Sequence, residues 1–499
     1  MKNRIYIIGI VLLTFLVSGC SDFLKESSQD EVRPSTANDL EQLLLGEGYP
    51  RMDYFMSFID LMTDDVDSYF PSEKPQYELL LKGASVFSWD KQMFEKLDDQ
   101  NILGANVWQK LYGKIKGCNV ILDMLDKVDG TEAEKLNLEG QALALRSFYY
   151  FLLVNLYGQP YNAEGVDITQ ALGVPLILES AVKDDFPPRA SVARVYKQVE
   201  EDLLKAVPLI EKYGQKNYLM RVTDLFVHTL LSRMYLYMEN WEKAIGHADY
   251  VLNRKAALVN LANYLVIEED PWWGEVITYD KQNGSVYNLE SPELIWGYSA
   301  KVELMSFFDG VGVGASPAYC VSTTLGGLYD VNDLRSQFYY NSYLLNWYGQ
   351  TALNYGEKSY GDKGINPKKG MRVAELYLNR AEANIRLYLK NKNIELLEVA
   401  LKDLNYLRSH RYMAPYTDLT AGDSDDWLQF CKDERRRELS FEDHRWFDLR
   451  RYGMAELQHT QTLVEGQSQQ YTLPTRGDRW VLPIPQKVID RNPSLLQNP

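Results

Sequence analysis

Two adjacent tryptophans, Trp272 and Trp273, follow three carboxylates in a row, Glu268, Glu269 and Asp270, in a stretch where no periodic apolar face claims them. Tyr69 and Phe70 stand in a polar loop just after Asp64, Asp65 and Asp67. Trp296 and Tyr298 share the loop-rich stretch with Trp272, and Trp347-Tyr348 is a weaker pair further on. Exposed rings of this kind offer flat apolar faces on which the C–H faces of sugars stack, with a polar handle at the edge. Neighbouring carboxylates, Asp67 among them as a weaker candidate, would hydrogen-bond sugar hydroxyls. The same carboxylates admit other chemistry. Two at the right separation make a glycosidase, a set of oxygens holds calcium, and solvated ones do neither. Each aromatic taken singly is also explained as a plug against the scaffold, since exposed tryptophans are uncommon. The expectation is that at least two of the set contact a ligand.

Other chemistries find no support. The five histidines, His228, His247, His410, His444 and His459, form no HExxH or other ligand-spaced pair. There is no GxSxG nucleophile elbow. Gly310, Gly312 and Gly314 lack the lysine and helix start of a phosphate loop, and Gly356-Glu357-Lys358-Ser359 also breaks that pattern. Both read as turns. A formal charge of −16 repels phosphate backbones and disfavours a nucleic-acid partner. Cys118, Cys320 and Cys431 are far apart and odd in number, which predicts three small buried thiols rather than a disulfide framework.

The elements that would position these residues are mostly helical. Ala142, Leu145, Tyr149, Leu152 and Leu156 recur at spacings of three and four, giving one apolar face over Glu139–Tyr157. Gly158-Gln159-Pro160 then stops the helix. Further helices are predicted from Ser191, a plausible N-cap, to Tyr213, over Thr223–Met238, and over Trp241–Leu252. Ser232 and Tyr235 in one helix, then Trp241, Ala244, Ala248 and Val251 in the next, follow the tetratricopeptide logic of small residues and groove-filling aromatics. Two more pairs are predicted, Arg372–Leu389 with Ile394–His410 and Asp425–Glu438 with Glu442–Tyr452. The arginines of the Glu434–Arg451 segment should pair with carboxylates of neighbouring repeats. Residues 254–370 break the helical pattern, with short strands expected only at Glu275–Tyr279 and Leu294–Tyr298. A loop-rich insertion of this size is more often functional than decorative.

At the start of the chain, Lys2 and Arg4 precede the apolar run Ile5–Val17, and Leu16-Val17-Ser18-Gly19 lead directly to Cys20. These are the parts of an export signal. The run is too short to span a bilayer. The pattern resembles a bacterial lipobox, in which Cys20 is acylated and becomes the new N-terminus. Several acyl chains would make that anchoring stable.

Blocks along the whole chain resemble one family. They are Cys20-Ser21-Asp22-Phe23-Leu24; Phe87-Ser88-Trp89 with Trp108, Tyr112, Asn119 and Leu122; Ala142–Phe151 with Tyr157-Gly158; and Gly173-Val174-Pro175-Leu176 with Arg189, Ser191 and Val195-Tyr196. Ala374–Ala383 followed by Leu404-Asn405 and Arg408, then Glu434–Arg451, and the ending Leu482-Pro483-Ile484-Pro485 through Asn498-Pro499, complete the series. In this order they resemble the SusD/RagB family of outer-membrane lipoproteins that capture nutrients. No run of acidic residues follows Cys20 directly, and residues 254–370 match no particular member, so the ligand does not carry over.

The resulting expectation is a mainly α protein. Its tetratricopeptide-like helical-repeat scaffold consists of discontinuous helix pairs, with a large loop-rich insertion and few short strands. The segments are a signal peptide (1–19), a lipidated tether (20–37), an N-terminal helical region (38–253), the ligand-binding insertion (254–370) and a C-terminal helical region (371–499). The resemblance implies a protein lipid-anchored in the outer membrane and facing the cell exterior. It would bind a glycan, without catalysis, and deliver it to a SusC-like TonB-dependent transporter. No cofactor is expected, although calcium is possible. A RagB-like peptide-binding protein and, behind it, a lipid-anchored glycoside hydrolase are the alternatives.

Overall fold

The computed structural model describes residues 34–50, 55–56, 58–70, 74–99, 106–181, 186–216, 218–298, 318–344, 351–355, 358 and 367–499. Cys20 and its leader, the Gly310–Gly314 run, and Trp347 and Tyr348 lie outside these residues.

The main helices are α1 (Ala37–Leu43), α2 (Lys74–Phe87), α3 (Met93–Asp99), α4 (Val107–Met124), α5 (Glu132–Tyr157), α6 (Val192–Tyr213), α7 (Asp224–Tyr237), α8 (Trp241–Leu252), α9 (Val373–Asn391), α10 (Ile394–Ser409), α11 (Trp427–Leu439) and α12 (Arg445–Arg451). Their starts follow from local chemistry. Ser191 Oγ accepts from Arg194 N, and Thr223 Oγ1 accepts from Phe226 N, which satisfies donors that a helix N-terminus leaves open. The helix expected from Glu139 begins earlier, at Glu132, because Thr131 and Glu134 form a capping box there.

The helices pack as pairs. In α7 and α8 the small residues sit at the contact: Ala244 and Ala248 are fully buried, and Ser232 Oγ donates to Ala244 O at 3.0 Å. Helix α9 packs on α10 and also on α8. The C-terminal pair therefore continues the stack left at Leu252, although the insertion separates them in sequence. Cys118, Cys320 and Cys431 are free and buried, as expected. No described helix is long and apolar enough to cross a membrane.

The strands are β1 (Val66–Ser68), β2 (Leu265–Asp270), β3 (Gly274–Tyr279), β4 (Leu294–Tyr298), β5 (Tyr319–Val321), β6 (Tyr340–Leu344), β7 (Thr351–Tyr355), β8 (Lys369–Arg372), β9 (Leu457–Val464) and β10 (Gln467–Leu473). Among the described residues they form five two-stranded antiparallel ribbons: β1 with β5, β2 with β3, β4 with β8, β6 with β7, and β9 with β10. The strands at 275–279 and 294–298 were expected; β2 and the β9–β10 hairpin were not.

A buried ionic mesh ties the insertion to the C-terminal helices. Glu438, fully buried in α11, accepts from Arg335, Arg372 and Arg411. Glu293 accepts from Arg372 at 3.3 Å and Arg411 at 3.0 Å, and Glu442 from Arg372 and Lys358, each at 2.6 Å. The arginines of Glu434–Arg451 are paired, but only Arg451, with Glu382, reaches a neighbouring repeat as expected; Arg435 pairs with Asp448 of the same segment, and Arg436 and Arg445 pair with Asp65 and Asp64 just before β1. Arg386 on the same helix also reaches Glu382, at 3.4 Å, but Arg451 holds it more closely, at 2.6 Å.

Removing one partner of a buried ion pair strands the other charge, at a cost of about 3–5 kcal/mol. Glu438→Ala should destabilise the protein by at least that range in urea unfolding, with a loss near zero counting against the mesh. Burial pushes the Glu442 carboxyl up, but Arg372 and Lys358 outweigh it and hold it at about 2, against about 4.3 in an unfolded chain. Its stabilisation is thus complete above the unfolded value and fades as pH falls through the folded one. The stability gap between the wild type and Glu442→Gln should narrow as pH is lowered from about 6 to about 3. A gap that does not change with pH would contradict this.

Candidate functional site

Among the described residues, strands β2 and β3 pair only with each other, in the register Leu265↔Tyr279, Ile267↔Ile277 and Glu269↔Glu275. The root of this hairpin is fixed to the body. Tyr279 meets the Phe338 ring edge-on at 5.6 Å, Asp280 N donates to Tyr264 O, and Lys281 Nζ donates to Tyr340 O at 2.7 Å. The tip is built by one side chain: Asp270 Oδ1 accepts from Trp272 N at 2.7 Å and Trp273 N at 2.9 Å. This Asx turn leads into Gly274 at φ +75°, a left-handed conformation that glycine adopts without strain. Trp272 and Trp273 are consequently presented to solvent, 88% and 83% exposed, with Ile267 behind them at 65%.

The other candidates fare differently. Trp296 and Tyr298 are buried, at 1% and 4% exposure, which corrects their assignment to an exposed platform. Strand β4 pairs with β8 and lies against the helices, so Trp296 packs edge-on to Phe226 at 4.8 Å and Phe148 at 5.5 Å. They are core. Phe70 is 46% exposed and Tyr69 half-buried at the end of β1, with Tyr69 N donating to Ala318 O. These two sit on the β1–β5 ribbon and the tryptophan pair on the β2–β3 hairpin.

The carboxylates are largely committed. Asp64 is bound in bidentate fashion by Arg445 at 2.7 and 2.8 Å, and Asp65 by Arg436 at 2.6 Å. Asp67 Oδ2 accepts from Thr323 N and Oγ1, so in this structure it ties β1 to the segment that follows β5. Among the described residues, no group of three or more His, Cys, Asp or Glu is arranged to hold a metal ion.

One feature gave no signal in the sequence. A groove of about 790 Å³ lies between α3, α4 and the C-terminal segment, lined by Phe94, Trp108, Tyr112, Pro175, Lys487 and Arg491 among others. Its size is within the range of ligand pockets. Several of its polar groups are engaged with each other or with the backbone: Lys487 with Asp98, Tyr112 OH with Pro175 O, and Asn492 with Pro187 O. The described candidate aromatics do not line it.

Comparison with known proteins gives a consistent result. The family described as "SusD family" matches residues 325–499, and that described as "Starch-binding associating with outer membrane" matches residues 22–236. The chain is 25% identical over 212 residues to "SusD-like protein P25" of Formosa agariphila. That match spans 39% of each chain, so about two-fifths of the curated relative's length is covered. A SusD superfamily protein from Bacteroides thetaiotaomicron superposes with a TM-score of 0.69 at 22% identity, covering 93% of this chain and 100% of that one. A SusD-like carbohydrate binding protein from Bacteroides vulgatus gives 0.65 at 21%, covering 92% and 97%. At these identities the structural likeness is one of fold.

The contrast between the two kinds of tryptophan is measurable. Trp272→Phe/Trp273→Phe should remove the longest-wavelength, most acrylamide-accessible part of the fluorescence with little change in stability. Trp296→Ala should cost about 3–5 kcal/mol, as large-to-small core changes do. Unchanged quenching in the double variant would contradict the exposed tip.

Proposed function

Because this chain belongs to the SusD/RagB family, we propose that it captures a glycan on the Trp272–Trp273 platform and passes it to a SusC-like TonB-dependent transporter, with no chemistry of its own. The observation that carries this reading is the braced turn that keeps both indoles in water. Aromatic faces this open suit the C–H faces of sugar rings, and the turn fixes them before the ligand arrives, which lowers the ordering cost of binding. Tyr69 and Phe70 would serve as a second contact on the β1–β5 ribbon. Relatives described as carbohydrate binding or starch-binding support the ligand class. Lipid attachment through Cys20 in the outer membrane, facing outward, belongs to the same proposal.

A hydrolytic reading has little to stand on. Glycosidases need two carboxyl groups flanking the scissile bond in a site that enforces distortion. Asp64 and Asp65 are neutralised by arginines, and Glu269 and Glu275 face each other on a protruding ribbon.

The test is calorimetry of the soluble body, starting at Ser21, against plant, host and microbial polysaccharides and a peptide digest. Saturable binding to a glycan without product release, weakened at least about tenfold in Trp272→Ala/Trp273→Ala, is expected, since stacking on two aromatic rings is worth more than the ~1.4 kcal/mol that a factor of ten represents. Binding of peptides alone, or release of reducing sugar, would overturn the reading.

A further inference from the structure

The hairpin carries a charge that no cation of its own balances. Between Lys255 and Lys281 the chain has no lysine, arginine or histidine, yet it has Glu268, Glu269, Asp270, Glu275 and Asp280. Asp270 is used in the turn, and Asp280 binds Asn283. Glu268, Glu269 and Glu275 are exposed, and among the described residues no cation pairs with them. Glu269 stands directly opposite Glu275 in the ladder, an arrangement that costs stability in an antiparallel pair. Immediately beyond this pair are two open indole faces, which of all side-chain rings attract cations most strongly.

We propose that this hairpin selects glycans that bear amines, such as oligomers of glucosamine, and rejects those that bear carboxylates or sulfates. The inference rests on the glycan-capture reading above and names its substrate class. An ammonium group on a sugar stacked against Trp272 or Trp273 gains the ring face and the unpaired carboxylates together. A uronate placed there meets only like charge. The tip is exposed, so salt screens the electrostatic part of this preference, and the stacking part persists.

The experiment is a tryptophan-fluorescence titration of the soluble body at mildly acidic pH, where sugar amines are charged. The ligands are the glucosamine hexamer, its N-acetylated counterpart, a galacturonic acid hexamer and hexalysine. At about 50 mM salt the glucosamine hexamer should bind about tenfold tighter than the N-acetylated one, with the galacturonate weakest. At about 500 mM the glucosamine hexamer and its N-acetylated counterpart should agree within about twofold. Glu268→Gln/Glu269→Gln/Glu275→Gln should erase the ranking but keep N-acetylated binding, whereas Trp272→Ala/Trp273→Ala should remove both. Galacturonate binding as tightly, or a ranking that survives the triple variant, would overturn the charge selection and leave glycan capture standing. Hexalysine matching the glucosamine hexamer would show selection for charge without sugar, and would also overturn it. If no hexamer perturbs the tryptophans, the amine-selection proposal fails, while the polysaccharide panel above decides glycan capture by itself.

Discussion

A single buried carboxylate, Glu438, faces three guanidinium groups, and each comes from a different part of the chain. Arg335 belongs to the insertion, Arg372 opens α9, and Arg411 follows α10. None of the four has measurable contact with water beyond 1%. Charges in such a place are tolerable only when all are paired, because an orphaned one costs several kcal/mol. The insertion therefore cannot separate from the C-terminal helices without stranding charge. Glu293 repeats the arrangement at the other end of the same cluster, just before β4. The mesh thus fixes where β4 begins.

That anchoring explains why identical residue types have opposite fates in one insertion. Trp296 follows Glu293 closely, on a strand that the mesh and its pairing with β8 pull against α5 and α7. Trp272 and Trp273 belong to a ribbon that, among the described residues, pairs with no other strand, and whose root packs against Phe338. Among the described residues of the insertion, β4 is core and the tip of the β2–β3 ribbon is surface. The tip of this ribbon has a turn organised locally, by Asp270 and Gly274.

Much of the scaffold was legible in the sequence. The helix pairs follow from apolar spacing, from alanines at 244 and 248, and from cap residues such as Ser191 and Thr223, all of which act within a few residues. The pairing of the Glu434–Arg451 arginines was legible too, since that many charges on helices in a compact protein must find partners. Strand β2 was not, because Leu-Val-Ile-Glu-Glu-Asp has no alternation to mark it. The groove beside α4 was invisible because its walls come from 94–99, 106–116, 175–187 and 485–495, distant in sequence. The site was legible only by type. Sequence singled out Trp272, Trp273, Trp296 and Tyr298 together, but long-range strand pairing separates the first two from the others.

The exposed tip also limits what folding can explain. Trp272 and Trp273 are nearly as exposed in the native state as in an unfolded chain, so the hydrophobic effect contributes little through them. Any residue that tolerates a turn would satisfy the backbone there, since Asp270 and Gly274 supply the geometry. Two indoles in water raise the risk of association instead. The unpaired carboxylates offset that risk, because charge on a free ribbon discourages edge-to-edge pairing with another chain. Edge protection, however, needs charge along the strands and no aromatic at the tip. The tryptophans therefore add little to stability through burial and do not favour solubility, which fits the proposed role in ligand capture.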